Sequence, residues 1–302
     1  MKTILVTGCN GLLGQKTVLS GSKDNNIIGV DLHKSPIISD LRYHRLDITD
    51  KDRTMSFVEQ ISPDCVINTA ALTDVDLCET RPDLAWKINV EGLINVSEAC
   101  LRTGSKLIQI SSDYVFDGKY GPYDEDAPPN PINHYGRTKL ESEKVALSSS
   151  PDNNIVVRTM VLYGYAPGVR PNFVLWLINA LQQGTQVRIV TDQWGNPTFA
   201  DDLAGLLIRL GTSDLSGLFH LAGGDLLSRF QMAQLIADAF GLDKGLIKPV
   251  ITVQLDQTAP RPLKSGLKTG KIERALGVKP LKFKEGLERL AGQMGQLSPN
   301  PT

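Results

Sequence analysis

No segment of this 302-residue chain approaches the roughly 18 consecutive apolar residues that a membrane-crossing helix needs, so no membrane partner is expected. Neither sign of charge is in excess: 32 Lys and Arg stand against 33 Asp and Glu, for a formal net charge of -1. With no basic run interleaved with aromatics, the electrostatic footprint that nucleic acid requires is missing, and no nucleic-acid partner is expected. Cysteine is scarce. Cys9, Cys65, Cys78 and Cys100 show no CxxC or metal-ligand spacing, so neither a disulfide framework nor a bound metal is expected. They read as reduced, buried small side chains, which fits a cytoplasmic location. The opening Met1 to Val6 is no secretion signal, because its apolar run stops at Thr7-Gly8, short of the roughly 7–15 residues required. It reads as a strand.

What is present is enough for a core: 41% of residues are hydrophobic and 22% charged. Through the first half, short apolar runs alternate with helical stretches: Ile4 to Val6, Ile27 to Val30, Tyr43 to Leu46, Cys65 to Asn68, Leu107 to Ile110 and Ile155 to Val157. Near-continuous apolar strands separated by helices predict a parallel sheet covered on both faces, the doubly wound Rossmann class of α/β fold. Leu84, Ile88, Leu93, Val96 and Ala99 recur at close to helical spacing between Arg81 and Arg102, and a similar pattern follows His134 through Leu147. A Pro/Gly cluster at 163–168 marks the passage to a smaller α+β domain. Helices are expected there at 172–183, 201–210 and 228–240, with a strand at 187–190. The division is residues 1–165 for the dinucleotide and 166–302 mainly for the substrate, with later segments returning to the first sheet. Pro260-Arg261-Pro262 reads as a rigid elbow, and 296–302 as a frayed end.

Directly after the first strand, Gly8, Gly11 and Gly14 stand at GxxGxxG spacing in Thr7-Gly8-Cys9-Asn10-Gly11-Leu12-Leu13-Gly14. Glycines let backbone N–H groups approach a pyrophosphate at a helix N-terminus. Alone, such a turn is as readily a plain strand-turn-helix junction. Asp31, closing the second strand about 20 residues on, changes the balance, since a carboxylate there accepts hydrogen bonds from ribose hydroxyls. It also repels a 2′-phosphate, which favours NADH over NADPH, although His33 and Lys34 stand close enough to soften that preference.

Tyr135 and Lys139 lie at i and i+4 on one helix face. An ammonium beside a phenol stabilises the phenolate, which would bring the tyrosine's high pKa down towards usefulness. Ser112 ends the strand at 107–110, where ligands of open α/β sheets bind. Ser111 competes with it for the role of carbonyl-binding hydroxyl. By itself a YxxxK pair is more often a surface Tyr and Lys.

In this order the glycine loop, Asp31, Asn68-Thr69-Ala70-Ala71, Ser112 and YxxxK resemble the extended short-chain dehydrogenases/reductases. Ser-Ser-Asp-Tyr-Val-Phe-Asp-Gly at 111–118, Pro129 through Lys139, Asp192 through Thr198 and Arg261-Pro262 are similar to the dTDP-4-dehydrorhamnose reductases, over nearly the whole chain. That resemblance implies reduction of the C4 keto group of a nucleotide-linked 6-deoxysugar in dTDP-rhamnose biosynthesis. It implies that Ser112, Tyr135 and Lys139 are catalytic. Gly8, Asn10, Gly11, Leu12, Leu13 and Gly14 would hold the pyrophosphate side of NADH or NADPH, Asp31 the ribose, Asp47 and Ile48 the adenine, and Ala70, Ala71 and Leu72 the nicotinamide side. Ser112, Asp113, Val161 and Arg261 would meet the sugar nucleotide. A homodimer is compatible with the sequence but not required by it.

Two departures from the family pattern carry meaning. Sugar dehydratases follow the serine or threonine with an Asp-Glu pair, whereas Tyr114 follows Asp113 here, so the base for elimination is missing. Asp74 adds a charge near the expected sugar. Two other readings stay open: a dinucleotide-binding regulatory protein resembling the β-subunit of methionine adenosyltransferase, and a sugar-nucleotide epimerase, which uses the same triad.

Overall fold

The computed structural model describes residues 1–295, so the frayed end expected at 296–302 lies outside the described residues. Strands β1 (Thr3–Thr7), β2 (Asn26–Asp31), β3 (Arg42–Arg45), β4 (Cys65–Asn68), β5 (Lys106–Ser112) and β6 (Ile155–Thr159) are joined by Gly217–His220 in one seven-stranded sheet. Every neighbouring pair is parallel. From one edge the order is β3, β2, β1, β4, β5, β6 and then the strand at 217–220. The winding direction therefore reverses between β1 and β4, which opens a crevice at their C-terminal ends.

The period of two along each strand explains why both faces are covered. Ile4, Val6, Cys65, Ile67, Ile108, Ile155 and Val157 point to one side, where they pack with Leu203, Leu207 and Leu210 of the helix Ala200–Gly211. Leu5, Ile28, Val66, Leu107 and Val156 point to the other, against Val58, Leu93, Val96 and Ala146. A strand buried on both faces has no room for alternating polar residues, hence the near-continuous apolar runs.

The helix expected at 81–102 is present but interrupted. Pro82–Trp86 passes through a π-type turn at Lys87–Glu91 into Gly92–Thr103, which stops at Gly104 in the left-handed region. Beyond β6, helices Phe173–Gln182, Arg229–Phe240 and Phe283–Gly295 enclose a second core around Leu177, Ile178, Met232, Ile236, Leu287 and Leu290. Val187–Val190 pairs there with Ile247–Val250. The helix Ala200–Gly211 and the strand Gly217–His220 return to the large sheet, so the chain crosses between the two cores more than once. Among the described residues, no helix is long and apolar enough to cross a membrane.

Candidate active site

The end of β5 delivers Ser112 to the crevice. Its Oγ accepts from the Tyr114 amide at 3.2 Å and donates to Asp113 Oδ1 at 3.0 Å, so it caps the short turn Asp113–Val115. Ser111 is committed elsewhere: its hydroxyl donates to Glu143 in the interior. Tyr135 and Lys139 come from the helix His134–Ser149, whose first turn is capped by Asn133 Oδ1 accepting from the Gly136 amide at 2.8 Å. Gly136 sets how deeply that helix sits, because a Cβ there would lie 2.1 Å from the Tyr114 carbonyl oxygen. Only glycine allows the helix to press onto the turn that carries Asp113.

Ser112, Tyr135 and Lys139 wall one cavity of about 520 Å³, together with Asp113, Val161 and the backbone of Gly11 to Gly14. Burial dominates its electrostatics. It pushes the Tyr135 phenol above its ordinary value, with the Ser112 hydroxyl opposing and Asp113 adding to the rise. It pushes Lys139 down to about 8, with Glu143 opposing. The sequence expectation that Lys139 lowers the phenol is not met here; desolvation outweighs everything else acting on Tyr135. A neutral phenol is nevertheless the form that donates a proton. Asp113 is raised to about 6 by burial, against hydrogen bonds from Ser265 and Ser112 that favour its charged form.

A second cavity of about 430 Å³ adjoins the first, sharing Gly11, Thr69, Ala71 and Val169 with it. Gly8, Asn10, Asp31, Asp47, Ile48, Ala70 and Leu72 line it. The glycine loop is a cradle that side chains would fill: a Cβ on Gly14 would stand 2.2 Å from the Gly8 carbonyl oxygen. One on Gly8, at φ 65°, would stand 2.7 Å from the Ala70 amide nitrogen. The helix Leu12–Gly21 begins at Gly11 with no side-chain cap, leaving its first N–H groups for a ligand. Asp31 Oδ2 accepts from the Asn10 amide at 3.1 Å, which fixes its carboxylate beside the loop. These residues fit a nicotinamide dinucleotide. Among the described residues, no group of three or more His, Cys, Asp or Glu is arranged to hold a metal ion.

Arg261 is not in the wall of either cavity. Its guanidinium pairs with Asp76 at 2.8 Å and donates to the Ala259 carbonyl at 2.7 Å. Asp74 is not a lone charge near the sugar, since it caps the helix Val75–Thr80 and pairs with Arg170 at 2.9 Å.

Several contributors were not singled out from sequence. Val169, Arg170, Pro171 and Asn172 wall the first cavity, although the Pro/Gly cluster just before them was legible only as a domain boundary. Val161, which the family resemblance had already singled out, adopts φ 46°, a costly conformation for a β-branched residue and a sign that the wall is held to a set shape. Asn89 occupies the π-type turn and bonds both backbone groups of Leu72, at 2.8 and 3.1 Å, and Thr138 Oγ1 at 3.0 Å. It joins the loop after β4 to the triad helix. A π-type turn inside a helical pattern leaves no periodic signal that sequence reading could catch.

Comparison with known proteins agrees with this geometry. The family model described as RmlD substrate binding domain matches residues 1–295. The chain is 35% identical to a dTDP-4-dehydrorhamnose reductase of Streptomyces griseus, over 98% of this chain and 97% of that protein. It is 31% identical to methionine adenosyltransferase 2 subunit beta of Xenopus tropicalis, over 89% and 81%. The crystal structure of dTDP-4-dehydrorhamnose reductase from Bacillus anthracis in complex with NADP superposes with a TM-score of 0.88, at 31% identity, covering 97% of this chain and 99% of that one.

Proposed function

The chain belongs to the RmlD substrate binding domain family, and from that membership we propose that it reduces the C4 keto group of a nucleotide-linked 6-deoxysugar with a nicotinamide dinucleotide. One observation carries the reading: Ser112, Tyr135 and Lys139 share a cavity with the glycine loop, while the place of a dehydratase base is taken by Tyr114. Tyr114 meets Tyr135 edge to face at 5.5 Å between ring centroids, and burial raises its phenol to about 12, so it is no base at neutral pH. Without a carboxylate at that position, elimination has no group to start it.

The bound dinucleotide supplies the hydride. The remaining work falls to the chain. Ser112 donates a hydrogen bond to the C4 oxygen, which requires its hydroxyl to turn from Asp113 to the substrate. Asp113 then receives no hydrogen bond from it and keeps the one from Ser265. Tyr135, kept neutral by burial, gives its proton to the oxygen as negative charge develops there. Lys139 holds the nicotinamide ribose. Gly11 to Gly14 present backbone N–H groups to the pyrophosphate.

Asp31 favours NADH, because its carboxylate would stand against a 2′-phosphate. The division of labour follows the two cores, with residues 1–165 holding the cofactor and the segment beyond shaping the sugar side. Charged substrates that do not cross membranes suit a cytoplasmic enzyme, and a homodimer is compatible with this arrangement. The test is incubation with dTDP-4-keto-6-deoxyglucose and NADH or NADPH, with chromatographic identification of a dTDP-6-deoxysugar. Tight dinucleotide binding with no sugar product would instead favour a regulatory role like that of the adenosyltransferase subunit named above.

A further inference from the structure

Behind the cavity wall lies a second set of charged side chains that the reaction as described does not use. Arg158 Nε and Nη2 donate to Glu143 Oε1 and Oε2 at 2.8 and 2.7 Å, and the two side chains are only 3% and 4% exposed. Ser111 donates to the same carboxylate. On its far side the guanidinium lies over the Phe116 ring, and Arg158 Nη1 is 3.4 Å from His220 Nε2. His220 is neutral: burial, and then Arg158, push its imidazole down to about 3.

Each member is next to a cavity residue. Ser111 precedes Ser112, Arg158 precedes Thr159, and Glu143 follows Lys139 by one helical turn. Burying an ion pair is costly, and apolar residues of similar volume often serve stability as well or better. The placement points to use at the neighbouring site.

We propose that Glu143 is a positioning residue for the triad: its paired carboxylate locks the triad helix to β5 and β6 and sets a negative charge one helical turn from the ammonium that holds the dinucleotide ribose. The inference rests on the cofactor part of the functional reading and not on the identity of the sugar. Lys139 is buried at the cavity wall, and two titratable groups favour its charge, Glu143 on its own helix and Cys78 on the helix Val75–Thr80. Burial holds the Cys78 thiol up at about 11, so it carries no charge near neutral pH. Asp113, from the end of β5, acts on Tyr135. Glu143 is therefore the anion on which the ammonium depends. Even with it, Lys139 stands at about 8.

The test is the pH dependence of NADH binding to the intact protein, followed by quenching of tryptophan fluorescence. It needs no sugar substrate, so it remains decisive if the proposed sugar is wrong. Wild-type binding weakens as pH rises through about 8, where Lys139 loses its proton. Glu143→Gln, which keeps hydrogen-bonding capacity and removes the charge, moves that weakening down by about one pH unit. Glu143→Asp, which keeps the charge, leaves it near the wild-type position. Should Glu143→Gln fail to fold, the double variant Glu143→Leu/Arg158→Met removes both buried charges; the repulsion of Lys139 by Arg158 goes with the attraction of Glu143, so a downward displacement smaller than that of Glu143→Gln is expected. Wild-type pH dependence in Glu143→Gln or in the double variant overturns the proposal.

Discussion

Ser265 donates a hydrogen bond to Asp113 across 152 positions of sequence, with both side chains buried. The bond fastens the segment after the Pro260–Pro262 elbow to the residue following the triad serine, so a distant part of the chain acts on the reacting end of β5. It favours the charged form of Asp113, whose pKa burial raises to about 6. Ser265→Ala removes that help, and the pKa rises further. Below it, protonated Asp113 no longer accepts from Ser112 as a carboxylate does in the free enzyme, the state whose ionisations kcat/KM reports. The acid limb of kcat/KM is therefore expected to move to higher pH by up to about one unit. A pH–rate profile checks this, and an acid limb left in place would remove Asp113 from the account.

Ser112→Ala deletes the hydroxyl assigned to the C4 oxygen. Loss of one such donor lowers kcat by about 10²–10³-fold. Ser112→Thr keeps the hydroxyl and is expected to stay within about tenfold of wild type. Steady-state kinetics on the two variants separates a chemical role from a packing role, since equal losses in both would indicate packing.

The alkaline side follows from Lys139. The group is charged below about 8 and neutral above it, so kcat/KM falls as pH rises through that value. Lys139→Met should show weak cofactor binding at every pH and no such limb. NADH titrations from neutral to alkaline pH check both.

Asp31→Asn removes the charge that opposes a 2′-phosphate. Its amide side chain can still accept from the Asn10 backbone N–H that Asp31 now receives at 3.1 Å, so the loop is retained. The ratio of kcat/KM for NADH to that for NADPH is expected to fall by about tenfold. An unchanged ratio would place cofactor choice elsewhere, with His33 the nearest candidate, its ring Nε2 3.9 Å from Asp31.

Much of this was legible in the sequence, for physical reasons. A strand covered on both faces is apolar along most of its length, so β1, β2, β4, β5 and β6 show short runs rich in Val, Ile and Leu, and β4 matches its expected bounds, Cys65 to Asn68. The glycine loop was legible because Gly8 and Gly14 have no room for a Cβ. The strand Gly217–His220 was missed because Gly-Leu-Phe-His carries no β-branched residue and its first two positions at the sheet edge are only half-buried. The Glu143–Arg158 pair was hidden because charged residues normally mark a solvated face. Only the packing of the triad helix onto β5 and β6 brings the two together inside. Arg261 shows the reverse case, a residue expected at the sugar that the fold pairs with Asp76.

The central claim is carbonyl reduction with Tyr135 as proton donor. Its most direct test follows NADH and NADPH absorbance while dTDP-4-keto-6-deoxyglucose is added to wild-type protein and to Tyr135→Phe. Wild type should oxidise one equivalent of reduced cofactor per sugar consumed. The variant should bind cofactor as tightly and turn over at least about 10²-fold more slowly. Failure of the wild type to oxidise either cofactor, or full activity in the variant, would contradict the account.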